Sequence, residues 1–95
     1  MKTADYFKFR LYVAGEGPNS AEAAGNLTAL CEEHLRERHE IEVVDIVKQR
    51  GRALADGVVL TPLLVKLSPP PVCKIVGNLT PADSVLLALG IASSG

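Results

Sequence analysis

Thr80-Pro81-Ala82-Asp83-Ser84-Val85-Leu86-Leu87-Ala88-Leu89 decides how the second half of this 95-residue chain packs. Read from its start, the stretch opens a helix. Thr80 suits an N-cap, Pro81 suits the first helical position, and Asp83 puts an acid in the first turn, where backbone N–H groups lack partners. Val85, Leu86, Leu89 and Ile91 then face a core. Read by periodicity alone, residues 84–89 are short and apolar enough to form a strand instead. The start signal favours the helix.

Before this stretch, Gly77-Asn78 reads as a turn and Cys73-Lys74-Ile75-Val76 as a short strand. Pro69-Pro70-Pro71 is a stiff connection without backbone donors. Thr61-Pro62 introduces Leu63-Leu64-Val65-Lys66-Leu67, a further strand. Residues 48–57 are polar, with a short helix around 52–56. Ile41-Glu42-Val43-Val44-Asp45-Ile46-Val47 is rich in β-branched residues and apolar on both sides apart from Glu42 and Asp45, which reads as a strand.

At the N-terminal end, Tyr6-Phe7-Lys8-Phe9-Arg10-Leu11-Tyr12-Val13 alternates cleanly. Phe7, Phe9, Leu11 and Val13 point one way; Tyr6, Lys8, Arg10 and Tyr12 point the other. Gly15-Glu16-Gly17-Pro18 ends the strand, and a helix follows, capped by Asn19 or Ser20, with Asn19 and Glu22 spaced as a capping box. Its apolar stripe is Ala23, Leu27, Leu30, Cys31, His34 and Leu35. Glu32, Glu33, Arg36, Glu37 and Arg38 form a solvated face. Gly25 costs about 1 kcal/mol against alanine inside a helix, which points to a close packing contact there.

Strand, helix and strand in this order predict a right-handed crossover with parallel strands. The whole order is β-α-β, a short helix, then β-β-α: an α/β chain of the thioredoxin-like fold, with a mixed sheet, forming one domain over residues 1–95. In that fold a proline opening the third strand is a common cis site, which makes Pro62 the candidate.

Composition narrows the function. Ten basic and eleven acidic residues give a net charge of −1, so nothing drives the chain toward nucleic acid or an anionic membrane. No apolar run approaches the ~20 residues that span a bilayer. Residues 1–5 are polar and unlike a signal peptide, so the expected location is the cytoplasm, where Cys31 and Cys73 stay reduced.

The usual chemistries find little support. A thioredoxin-type enzyme needs Cys-x-x-Cys after the first strand, and residues 14–20 contain no cysteine. Cys31 reads as a packed core thiol and Cys73, beside Lys74, as incidental. His34 and His39 are five apart, off the i, i+4 spacing of helical metal pairs, and His39 is expected at the helix C-terminus. Gly15-x-Gly17 lacks the rest of a phosphate loop. Glu32, Glu33 and Asp45 read as surface charges rather than an acid/base pair. With four aromatics, base stacking has little to build on, and Lys8, Arg10 and Tyr12 share a face that solvation explains. No cofactor or metal is expected.

Leu11-Tyr12-Val13-Ala14-Gly15 with Pro18-Asn19-Ser20, then Asp45, Thr61-Pro62, Leu64, Lys66, Pro69-Pro70-Pro71-Val72 and Lys74-Ile75-Val76-Gly77-Asn78-Leu79, resemble the KaiB family of circadian-clock proteins. The match runs over residues 6–89, and the triple proline with the Ile-Val-Gly-Asn-Leu turn is its specific part. A related domain heads the clock-output kinase SasA. The resemblance implies a non-enzymatic regulator that binds a KaiC-type ATPase ring and alters its phosphorylation cycle, with KaiA-like or SasA-like components as further partners. It also implies a metamorphic chain: a monomeric thioredoxin-like state binds the ATPase, and an alternative tetrameric packing rearranges the C-terminal half, where residues 84–89 lie.

On that resemblance the partner-facing residues are Lys66 and Lys74, with Tyr6, Lys8 and Asp45 secondary. The fold-determining ones are Gly15, Pro18, Asn19, Pro62, Pro69, Pro70, Pro71, Gly77, Ala88 and Gly90. The chain departs from the family at Glu22, Glu42 and Gly57, where basic residues are frequent, and in ending Ser93-Ser94-Gly95 without an acidic tail. It also has Ala88 and Gly90 where glycine and then aspartate are common. Ala88 favours helix by about 1 kcal/mol and Gly90 gives a similar amount back. Together these imply a divergent member biased toward the thioredoxin-like state. The alternatives are a stand-alone interaction module with another signalling partner, and a redox enzyme using Cys73, for which no activity is expected.

Overall fold

Phe7–Val13 (β1) is one of the two inner strands of a four-stranded sheet, hydrogen-bonded to a neighbour on each side. A computed structural model describes residues 6–91, so the polar segment 1–5 and the terminal Ser93-Ser94-Gly95 lie outside the described residues. The elements are β1, α1 (Pro18–His34), β2 (His39–Asp45), α2 (Arg50–Ala55), β3 (Leu63–Ser68), β4 (Cys73–Val76) and α3 (Ala82–Leu89). The sheet order is β2-β1-β3-β4. β2 runs parallel to β1, with Phe7 opposite His39 and Val13 opposite Asp45. β3 and β4 form the antiparallel hairpin expected of the second half.

The deciding stretch is a helix. Its start differs from the sequence expectation: Pro81, in extended conformation (φ −75°, ψ 155°), occupies the N-cap, and Thr80 turns its hydroxyl to Asn78 Oδ1 at 2.7 Å. The first helix departs similarly. Pro18, with its φ already fixed, enters at the first turn after an extended Gly17, so Asn19 lies inside α1 and no side chain caps it. The second strand spans His39–Asp45 rather than 41–47, and the short helix starts two residues earlier than expected and ends one earlier. The Thr61–Pro62 peptide is cis, as are Ser68–Pro69, Pro70–Pro71 and Thr80–Pro81.

One apolar cluster packs β1 residues Phe7, Phe9, Leu11 and Val13 against Ala23, Leu27, Leu30, Cys31 and Leu35 and against Val85, Leu86, Leu89 and Ile91 of the α3 region. A smaller cluster of Tyr12, Val44, Leu63 and Val65 lies on the other face. The predicted stripe and core residues are therefore inside, except that His34 keeps one edge at the surface.

Two glycine expectations change. Gly25 marks no close approach: it is exposed, and a Cβ there would meet nothing within 4 Å. Gly90 is not a helix-interior residue. It stands just past α3 in the left-handed region (φ 73°), where its N–H reaches Leu87 O at 3.2 Å and the Ile91 N–H reaches Leu86 O at 3.0 Å. Glycine is the favoured residue in that cap, so it stabilises the helix end instead of weakening it. Ala88 is an exposed interior residue of α3.

Candidate docking surface

Lys66 and Lys74 lie on adjacent strands but face opposite sides of the sheet. Lys66 is paired in register with Phe9, and Lys74 with Val65, which belongs to the other face. Lys66 therefore points inward and is 4% exposed. Its Nζ donates to Leu89 O at 2.9 Å and lies 5.8 Å from the Phe7 ring centroid. A cation at a helix C-terminus meets the negative end of the dipole and a carbonyl without an intrahelical partner. In this packing Lys66 clamps α3 to the sheet and offers no surface to a partner, which corrects the expectation for that residue.

Lys74 is exposed on β4, an edge strand, and has no ion pair among the described residues. Beside it runs a groove of about 210 Å³ lined by Gly57, Val59, Leu60, Leu63, Lys74 and Val76. Val59 is 88% exposed, Leu60 60% and Val76 55%, a concentration of apolar surface around one free ammonium group. The sequence holds the run Val58-Val59-Leu60, but nothing in its pattern says that two of the three face solvent.

The other expected partner residues do not join this groove. Lys8 is exposed on the same sheet face as Lys74, beside Glu40 of β2. Tyr6 donates its hydroxyl to His39 O at 3.3 Å. Asp45 is engaged within the fold. Its Oδ1 accepts from Gly15 N at 3.1 Å and from Val47 N at 2.9 Å, tying the β1–α1 turn to the end of β2. Those two N–H groups hold its carboxyl below the usual range. A larger groove, about 580 Å³, opens at that end between α1 and the β2 edge, next to Val43 and Asp45.

Glu22, Gly57 and Glu42, the residues expected to depart from the family pattern, are each engaged within the chain. Glu22 accepts from Asn78 Nδ2 at 2.7 Å. Gly57 (φ 71°) closes α2, with its N–H on Leu54 O and the Val58 N–H on Ala53 O, a cap that favours glycine. Glu42 accepts from Arg10 Nε at 2.9 Å and from Arg52 Nη1 and Nη2 at 2.8 and 2.9 Å. The hydrogen bonds from Arg52 and then Arg10 hold the Glu42 carboxyl down to about 2.

The thiols and imidazoles stay apart. Cys31 is fully buried in the core and its thiol is pushed up to about 12, mainly by burial. Cys73 is half-buried, with Sγ donating to Ala88 O at 3.3 Å, and both cysteines are free. His39 Nδ1 lies 2.8 Å from Leu35 O, so that nitrogen carries the proton, and the ring sits at the C-terminal end of α1 as expected. His34 lines a separate small cleft with Asn26, Glu33 and Thr80. Among the described residues no three His, Cys, Asp or Glu side chains cluster as metal ligands, and no helix is long and apolar enough to cross a membrane.

A βαβ half followed by a ββα half, with no cysteine in the β1–α1 turn, defines a thioredoxin-like fold without the thiol pair. Solved structures agree on the fold. The chain is similar to chloroplastic thioredoxin z, with a TM-score of 0.75 at 16% identity, covering 90% of this chain and 78% of that one. It is also similar to the N-terminal domain of Synechococcus elongatus SasA, with a TM-score of 0.68 at 18% identity, covering 92% and 83%.

Sequence relatives narrow the class further. Residues 10–91 match the family model for the KaiB domain. The chain is 35% identical over 86 residues to the circadian clock protein KaiB3 of Synechocystis sp., covering 90% of this chain and 84% of that protein. It is 38% identical over 85 residues to the circadian clock oscillator protein KaiB of Microcystis aeruginosa, covering 90% and 82%. The chain belongs to the KaiB family.

Proposed function

We propose that this chain is a non-enzymatic regulator in the cytoplasm that docks onto a KaiC-type ATPase ring through the β4 edge and modulates its phosphorylation cycle. The observation that carries the reading is Lys74, an ammonium group with no ion pair among the described residues, set in a groove with exposed Val59, Leu60 and Val76. A free cation ringed by apolar surface favours a partner with a carboxylate among apolar side chains. Lys8 extends the positive character of the same face, and Tyr6 and Asp45 are peripheral to it.

The test is binding to the host's own KaiC-type ATPase with ATP present, followed by native mass spectrometry. A discrete complex with one copy per ATPase subunit is expected, and Lys74→Glu should weaken it about tenfold or more at low salt without moving the unfolding midpoint. Unchanged affinity for Lys74→Glu would remove this surface from consideration.

A second reading, an interaction module for a different signalling partner, is favoured by one observation: Glu22, Glu42 and Gly57 all serve internal structure where the family often presents positive charge. Absence of a complex after days of incubation would select it. We also propose that the thioredoxin-like packing is the dominant one. The α3 cap at Gly90 and the Lys66 clamp on Leu89 support this. Backbone chemical shifts showing residues 84–89 as a strand in the major form would overturn it.

A further inference from the structure

One row of residues crosses the sheet face opposite α1: Glu42 on β2, Arg10 on β1, Val65 on β3 and Lys74 on β4. α2 lies over part of that face and adds Arg52. The two guanidinium groups deliver three N–H donors to Glu42, all within 2.9 Å. Asp56, at the end of α2, closes the circuit: it lies 3.9 Å from Arg10 Nη1 and 3.8 Å from Arg52 Nε, and it accepts the Tyr12 hydroxyl at 2.6 Å. Two carboxylates thus balance two arginines. Guanidinium is the side chain best shaped for recognising carboxylates, and here both are turned inward on carboxylates of their own chain. Lys74, at the far end of the row, has no ion pair among the described residues.

We infer that Glu42 determines where an acidic partner binds: by engaging Arg10 and Arg52 internally, it leaves Lys74 and the β4 edge to receive the partner's carboxylates. The inference rests on the β4 edge being the docking surface. Glu42 does not touch the partner in this scheme; it is a positioning residue that acts through the two arginines. A partner whose carboxylates face the centre of the sheet must first displace the Arg52 fork from Glu42, and this discriminates against it. Without the Glu42 charge, the same face presents Arg10, Arg52 and Lys74 together and accepts a wider acidic surface.

The test is a mutant cycle on binding to the host's KaiC-type ATPase with ATP, at about 50 mM and about 500 mM salt, which changes screening severalfold. Glu42→Gln keeps the side-chain size and removes the charge. It should bind about three- to tenfold tighter at low salt, with the gain lost at high salt, as expected for exposed ion pairs. Arg10→Gln and Arg52→Gln alone should leave wild-type affinity within about twofold, and each should abolish the gain when combined with Glu42→Gln. Either arginine variant weakening wild-type binding as strongly as Lys74→Glu does would overturn the inference, because that arginine would then touch the partner directly.

Unchanged affinity in Glu42→Gln would overturn it as well. Amide exchange at Val58, which donates to Ala53 O at the end of α2, reports whether α2 stays seated in each variant. If it loosens in Glu42→Gln, the single arginine variants decide. If the wild type forms no complex, the docking reading fails by itself. The internal pairing is then judged from arginine Nε–H exchange, which Glu42→Gln should accelerate about tenfold at Arg10; an unchanged rate would refute it.

Discussion

Replacing Gly25 by alanine should make this protein more stable by about 1 kcal/mol, the full helix-interior difference between the two residues. The site meets each condition for the gain. Gly25 lies in the middle of the 17-residue α1, it is exposed, and an added Cβ has nothing within 4 Å. Part of the benefit comes from restricting the unfolded chain, and that part overlaps with the propensity difference rather than adding to it. For a domain of this size, about 1 kcal/mol raises the thermal midpoint by roughly 4–8 °C. Urea unfolding should show a higher midpoint at an unchanged slope. Gly57→Ala and Gly90→Ala supply the opposite sign, because both residues have φ above 70° and alanine loses roughly 1–2 kcal/mol there. A Gly25→Ala midpoint equal to or below the wild type would refute the reasoning and show that another surface approaches α1 at that residue.

Three further outcomes follow from the packing. Lys66→Glu should destabilise the fold by about 3 kcal/mol or more in urea unfolding, since it buries a carboxylate against the Leu89 carbonyl; a wild-type midpoint would mean that Lys66 is not the clamp on α3. Alkylation followed by mass spectrometry should modify Cys73 in the native protein and reach Cys31 only on unfolding, because Cys31 is fully buried and its thiol is held near 12; equal labelling rates would contradict that burial. Glu42 has its folded pKa depressed, so its contribution is complete above about 4.5 and is lost as pH falls toward about 2. The stability gap between wild type and Glu42→Gln should therefore close across that window, and a gap that widens in acid would show that the ion pairs do not stabilise the fold.

How far the sequence carries depends on whether a residue's role is local. Alternation in β1, the β-branched β2, the cysteine-to-valine strand β4 and the start signal at Thr80-Pro81 are local properties of backbone and burial, and they yield the element order and the thioredoxin-like class. The cap details differ from expectation because Ser, Thr and Asn side chains have several partners within reach. Thr80 takes Asn78, and prolines already set the entry into α1 and α3.

The family, too, is legible in the chain itself, in the proline run and the Ile-Val-Gly-Asn-Leu turn. What the sequence cannot assign is the use made of each charge. Lys66 and Lys74 look equivalent along the chain, yet one clamps a buried helix end and the other faces solvent. That difference comes from strand register, a long-range pairing that places Lys66 opposite Phe9 and Lys74 opposite Val65. Arg10 lies 32 residues from Glu42 and Arg52 ten, and the three meet only because β2 joins β1 in parallel while α2 folds back over their shared face. Local chemistry determined the elements and the fold class; which cations remain free for a partner was decided by the tertiary structure, because charge pairing depends on distance in space and the chain order does not encode it.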